Sequence, residues 1–206
     1  ADDPSPASLE GAILSLADKI DSIVGVVGVG VQTSGSSDPF GLRRNALGVC
    51  KIILDKKLSL PFNRLLEKSI SFHGDKLKVP KAEILDRLRE FFSGRLRYLL
   101  EREGIRYDLI NAALAAGLDN PYHAALRARA LDALKDGPQF EPLILMAKRV
   151  NNILAGQTTP AVNPSHFVEK AERELYATSG IIVDNVAPMI AKGDFVQAQK
   201  IVFRLQ

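Results

Sequence analysis

Apolar residues recur along this chain at helical spacing and nowhere alternate, so the pattern predicts an all-α fold. Ile13, Ala17, Ile20, Val24 and Val27 lie three and four apart, a seam along residues 8–29 suited to packing against other helices. Residues 30–37 break the pattern with glycine, serine and threonine and read as a linker and domain boundary. Asp38 is then placed to cap a helix whose first position suits Pro39, where no N–H is needed. That helix runs to about residue 57, with Leu42, Ala46, Val49 and Ile53 as its buried line. Pro61 opens another through Phe72, closed by Gly74. Pro80 opens a long one over 81–103 that stops at Gly104, with Ile84, Leu88, Phe91, Phe92, Leu96, Leu99 and Leu100 as core candidates.

Downstream, a short helix from Tyr107 ends before Gly117, and Pro121 opens the next through Leu134. Residues 141–155 form a helix with Leu143, Met146, Val150, Ile153 and Leu154 apolar, followed by a loop over 157–164. Helices over 164–177, 181–192 and 195–206, separated by glycines, complete the pattern. The expected architecture is a helical bundle with a first piece at 1–33 and a second at 34–206.

Composition sharpens this in a few places. Hydrophobic residues make up 46% of the 206, none is Trp, and 6% are aromatic, so the interior is to be built from Leu, Ile, Val and Ala. No apolar run reaches the ~18–20 residues of a membrane helix. The most apolar stretch, 23–31, is interrupted by Gly25, Gly28 and Gly30, which follow a helical seam and suit close approach between helices better than a phosphate loop. The single cysteine, Cys50, allows no internal disulfide, and a cytoplasmic location is expected. The chain lacks an initial Met and any charged leader, and it stops inside a helical pattern, so it is expected to be a piece of a longer protein truncated at its C-terminal end.

The net charge of +3 conceals an asymmetry. Residues 43–106 hold sixteen Lys or Arg against eight Asp or Glu, whereas 107–206 hold ten of each. The basic third is where an anionic partner would land, unless these are simply solvated helix faces. Catalytic chemistry is not evident. His73, His123 and His166 stand far apart without ligand spacing, so no metal site is expected, and Cys50 among Val49, Ile52 and Ile53 reads as a buried thiol. What remains is binding. Lys148, Arg149, Asn151 and Asn152 fall within two helical turns, and these are residue types that hold phosphates and read base edges. The same helix is equally readable as one that buries Val150, Ile153 and Leu154 and solvates its polar side.

Three stretches carry a family resemblance. Residues 34–49, Ser34-Gly35-Ser36-Ser37-Asp38-Pro39-Phe40-Gly41-Leu42-Arg43-Arg44-Asn45-Ala46-Leu47-Gly48-Val49, are similar to the T-G-S-x-D-P-F-A-L-R-R-x-A-L-G-V signature of the beta subunit of bacterial heterotetrameric glycyl-tRNA synthetase. Ser34 stands for Thr, Gly41 for the commoner Ala and Ser37 for the commoner Lys. Ala17-Asp18-Lys19-Ile20-Asp21 with Val24-Gly25, and Ala147-Lys148-Arg149-Val150-Asn151-Asn152-Ile153-Leu154, agree in the same order. The resemblance implies that residues 1–33 close a helical domain related to the HD phosphohydrolases, and that 34–206 form a helical region ending in a DALR-like anticodon-binding domain. It implies a tRNA-binding, non-catalytic piece of glycine–tRNA ligase. Glycine tRNA and the alpha subunit are its partners in an assembly of two alpha and two beta chains, no membrane is involved, and ATP is used only by the whole enzyme. Lys148, Arg149 and Asn152 become candidates for anticodon-loop contact, and Arg43 and Arg44 for backbone contact. Gly41 in place of Ala is expected to weaken its helix by up to ~1 kcal/mol. An HD-type phosphohydrolase using Asp18, or a helical scaffold without nucleic acid, are the alternatives.

Overall fold

The computed structural model describes residues 4–31, 38, 40–154 and 162–202. Among these there are nine α-helices and no strand, as the helical periodicity requires. By packing, the chain forms two units, 1–129 and 130–206. The boundary expected after residue 33 lies within the first of these units, where the first helix packs its apolar stripe against helices beyond residue 41.

In the first unit, α1 (Leu9–Gly28) is capped by Ser8, whose hydroxyl accepts the Gly11 N–H at 3.0 Å. It packs on α2 (Leu42–Asp55), α3 (Phe62–His73) and α4 (Lys81–Arg102), and α4 also carries α5 (Tyr107–Ala115). The expected line on α2 is buried in full, together with Cys50 and Ile52. On α4 all the expected core residues are buried except Leu99, which is half-buried, and Leu85 joins them. Phe62 of α3 meets Phe92 of α4 edge to face, 4.8 Å between ring centres, an arrangement favoured by the ring quadrupoles. The stripe on α1 differs from expectation. Ala12, Leu16, Ile20, Ile23, Val24 and Val27 are buried, while Ile13 and Ala17 face solvent. The helix is apolar on two adjacent strips in its first half, so spacing alone could not choose between them.

The glycines of α1 act by close approach. A Cβ on Gly28 would collide with the Leu77 side chain, and one on Gly25 would sit 3.0 Å from Cε1 of His73. The Gly28 carbonyl accepts from Lys78 and Val79 N–H at 2.8 and 3.0 Å, so the segment after the 3-10 turn Gly74–Lys76 is laid directly across the end of α1. At the far end of α5, Arg127 of α6 (Pro121–Leu134) donates to the carbonyls of Ala113 and Gly117, filling acceptors that the helix terminus leaves open.

In the second unit, α7 (Phe140–Leu154) contains no buried residue, so the apolar positions at Val150, Ile153 and Leu154 are exposed rather than core. The helix α8 (Lys170–Lys192) opens with a capping box between Glu169 and Glu172 and packs on α9 (Phe195–Val202). Two helices were expected over 164–192, broken near Gly180. One continuous helix runs through that glycine, since an interior Gly costs only ~1 kcal/mol, less than starting a helix afresh. The final residues of the helices expected to reach 155 and 206 lie outside the described residues, as do the linker at 32–37 and Pro39.

Candidate nucleic-acid interface

The start of α2 sets the site. Leu42, and not Pro39, is the first helical residue, and Gly41 before it adopts the left-handed conformation with φ +64°. The Gly41 N–H bonds back to the Asp38 carbonyl at 3.0 Å, closing a turn that brings the Asp38 carboxylate onto the Arg43 N–H, also at 3.0 Å. Asp38 thus caps the helix as expected, but from three residues before the N-cap position. Gly41 is consequently not a weakness within the helix. It occupies a backbone conformation in which a side chain is strained, so the expected penalty relative to Ala has the opposite sign.

This turn aims Arg43 and Arg44 to different sides. Arg43 is half-buried and Arg44 exposed, and both line a cleft of about 180 Å³ with Leu47, Arg95 and Tyr98. On the other side of Arg44 lies a cleft of about 450 Å³, where Lys19 of α1 and Arg44, Asn45 and Lys51 of α2 are the principal polar side chains. None of the described residues lining either cleft is Asp or Glu. A third, of about 320 Å³, continues past Lys51 to Arg102 and Arg129 and includes Asp55 and Glu103. Those two acids are engaged, Asp55 by the Ser5 hydroxyl at 2.6 Å and Glu103 by a bidentate Arg129 at 2.7 and 2.8 Å. Leu47 is common to the floors of all three.

Of this face, the sequence reading found Arg43 and Arg44 and missed Lys19, Lys51, Arg95, Tyr98 and Arg102. Part of the signal was present. Arg44, Leu47 and Lys51 are spaced three and four apart on α2, and Arg95, Tyr98 and Arg102 likewise on α4, so each trio shares a helical face. That the two faces adjoin depends on packing between helices some forty residues apart. Gly48 allows the approach of α1, since a Cβ there would lie 3.1 Å from Cε of Lys19.

Lys148, Arg149 and Asn152 belong to the second unit, on α7, where all three are exposed. Burial pushes the Cys50 thiol up to about 12, so it holds no thiolate at neutral pH. Asp18 is exposed on α1, and no group of three metal-binding side chains is assembled among the described residues. His73 instead faces the Asp21 carboxylate at 3.1 Å. No helix among the described residues is long and apolar enough to cross a membrane.

Comparison with known proteins bears on what this basic face serves. Residues 1–115 match the family model described as glycyl-tRNA synthetase beta subunit. The glycine–tRNA ligase beta subunit of Halalkalibacterium halodurans is 39% identical over 197 residues, covering 94% of this chain and 28% of the relative. That of Syntrophus aciditrophicus is 39% identical over 193 residues, and that of Geobacter sulfurreducens 40% over 195, with the same coverages of 94% and 28%. The chain spans a little over a quarter of the length of the curated relatives it matches. The match takes in α1 through α5, and with them the turn at Asp38 and the α2–α4 face; the chain belongs to the glycyl-tRNA synthetase beta subunit family.

Proposed function

We propose that this chain is a tRNA-holding part of the beta subunit of glycine–tRNA ligase, the enzyme that attaches glycine to its tRNA using ATP. It performs no chemistry itself. Activation of glycine with ATP belongs to the alpha subunit, the partner in an assembly of two alpha and two beta chains, and the setting is the cytoplasm. The observation that supports this best is the α2 face, where Lys19, Arg43, Arg44, Lys51 and Arg95 line two adjoining clefts without an acid, in a chain of this family. Phosphates demand such a surface because their charge must be matched by Lys and Arg. Lys148, Arg149 and Asn152, exposed together on α7, supply directed donors and acceptors of the kind that read bases in an anticodon loop. Family membership favours this reading over a phosphohydrolase built on Asp18 or a scaffold with no nucleic-acid role.

The test is a titration of the chain with glycine tRNA at several salt concentrations. Each phosphate neutralised contributes ~0.7 to the slope of log affinity against log salt on single strands. Arg44→Ala and Lys51→Ala are each expected to lower the slope. A flat response in the unmodified chain would refute the reading.

A further inference from the structure

The cleft bounded by Arg43, Arg44, Leu47, Arg95 and Tyr98 differs from an ordinary cationic patch in two respects. First, one wall is an aromatic side chain that is 46% exposed, held on α4 between two cations of the same helical face, Arg95 and Arg102. Second, Arg95 carries a buried Nε donor with no hydrogen-bond partner, although its guanidinium is otherwise placed over the Phe91 ring at 5.3 Å. A buried donor without an acceptor is uncommon in a folded protein. Phosphates alone would be satisfied by the arginines and would leave the ring idle. An acidic peptide would do the same. A nucleotide whose base is free of its neighbours uses both, placing its phosphate on the guanidinium groups and its flat face on the ring. Paired bases cannot, because in an A-form helix their faces are covered by the next pair.

We infer that Tyr98 is a stacking platform for an unpaired base, with Arg43, Arg44 and Arg95 holding the adjoining phosphate and base edge. This rests on the tRNA-binding reading and narrows it to an unpaired segment of the RNA at this cleft.

The chain contains no Trp, which makes a direct test available. Tyr98→Trp keeps a flat ring at the site and introduces a single indole fluorophore, and Tyr107→Trp, exposed outside the cleft, serves as control. A single-stranded oligouridylate of about ten nucleotides, the scale of one strand-tracking groove, is expected to quench Tyr98→Trp and leave Tyr107→Trp unchanged, and a fully paired RNA duplex to quench neither. Tyr98→Ala should weaken oligouridylate binding by about 5–150-fold, the range of one lost stacked base, while Tyr98→Phe should stay within about twofold of the unmodified chain. Tyr98 is half in solvent, so these changes open no core cavity, and circular dichroism verifies the fold. If the chain binds glycine tRNA and Tyr98→Ala binds tRNA and oligouridylate as well as the unmodified chain, the stacking role is overturned while the tRNA reading stands. Equal quenching by polyglutamate would overturn it in favour of an acidic polypeptide, and equal quenching by the duplex would reduce the cleft to phosphate contact. Absence of any tRNA binding by the unmodified chain would remove both.

Discussion

Gly41→Ala separates two views of how α2 begins, because they differ in sign. With φ +64° Gly41 lies outside the helix, and an L side chain in that region costs ~1–2 kcal/mol. Against this, Ala restricts the unfolded chain and returns ~0.4–1 kcal/mol. The added Cβ would lie 3.3 Å from Nη2 of Arg44, but that atom is the far end of a flexible side chain and can move a few tenths of an ångström. The balance is a loss of about 1 kcal/mol, which at ~2 kcal/mol per molar in urea lowers the unfolding midpoint by about 0.5 M. Gly41→Asn should lose less, since Asn tolerates the left-handed region better than Ala. If the helix instead ran back through residue 41, Ala would gain up to ~1 kcal/mol and raise the midpoint. A raised midpoint for Gly41→Ala would therefore refute the turn described here and place the start of α2 earlier, as the family's commoner Ala at this position would allow.

Three further outcomes are expected. Asp38→Ala removes the acceptor of the Arg43 N–H and should cost ~0.5–2 kcal/mol in urea denaturation, with Asp38→Asn retaining most of the stability; an unchanged midpoint for Ala would show that the contact is idle. His123 is held below its ordinary value by burial and by the nearby Arg127, so the unfolded chain takes up this proton more readily than the folded one. Stability should then fall as pH drops through about 6.5 and recover above it, and His123→Gln should flatten that part of the profile; an identical slope in the variant would count against it. On α7, Arg149→Ala and Asn152→Ala should reduce binding of glycine tRNA by ~1–3 kcal/mol and of a non-cognate tRNA by less, while Arg44→Ala weakens both alike. Because α7 has no buried residue, the substitutions should leave the circular dichroism spectrum unchanged, and equal losses for both tRNAs would place base reading elsewhere.

The elements bounded by proline and glycine were legible because those residues act locally. Pro61 and Gly74 frame α3, Pro80 and Gly104 frame α4, and Gly104 and Gly117 both take positive φ where the chain leaves a helix. Faces were less legible wherever apolar residues cover more than one strip. On α1 the strip through Ile13 and Ala17 was as good a candidate as the one through Ala12 and Leu16, and only the positions of α2 and α3 decide between them. Gly180 misled because glycine permits a break without requiring one. The site was half legible for a related reason. Arg43 and Arg44 are neighbours in sequence, whereas Lys19, Arg95 and Tyr98 reach them from two other helices.

Where charge sits matters more than how much there is. The surplus within 43–106 suggested a broad basic third, yet many of its arginines are occupied. Arg87 pairs with Glu83, Arg89 with Asp86 at 2.9 Å and with Asn63, Arg97 with Asn111, and Arg106 with Asp108 at 2.7 Å. Exposed ion pairs such as those of Arg87, Arg89 and Arg106 add only ~0–1 kcal/mol of stability each. Their larger effect is on the field, because an ion pair is nearly neutral a few ångströms away and screening removes what remains beyond ~8 Å at physiological salt. Among the described residues, the clefts on either side of Arg44 are lined by cations and by no acid, Lys19, Arg44 and Lys51 on one side and Arg43, Arg44 and Arg95 on the other. Neutralising Arg44 should for that reason change the salt slope of tRNA binding, and neutralising Arg87 or Arg89, whose carboxylate partners cancel much of their charge, should change it less.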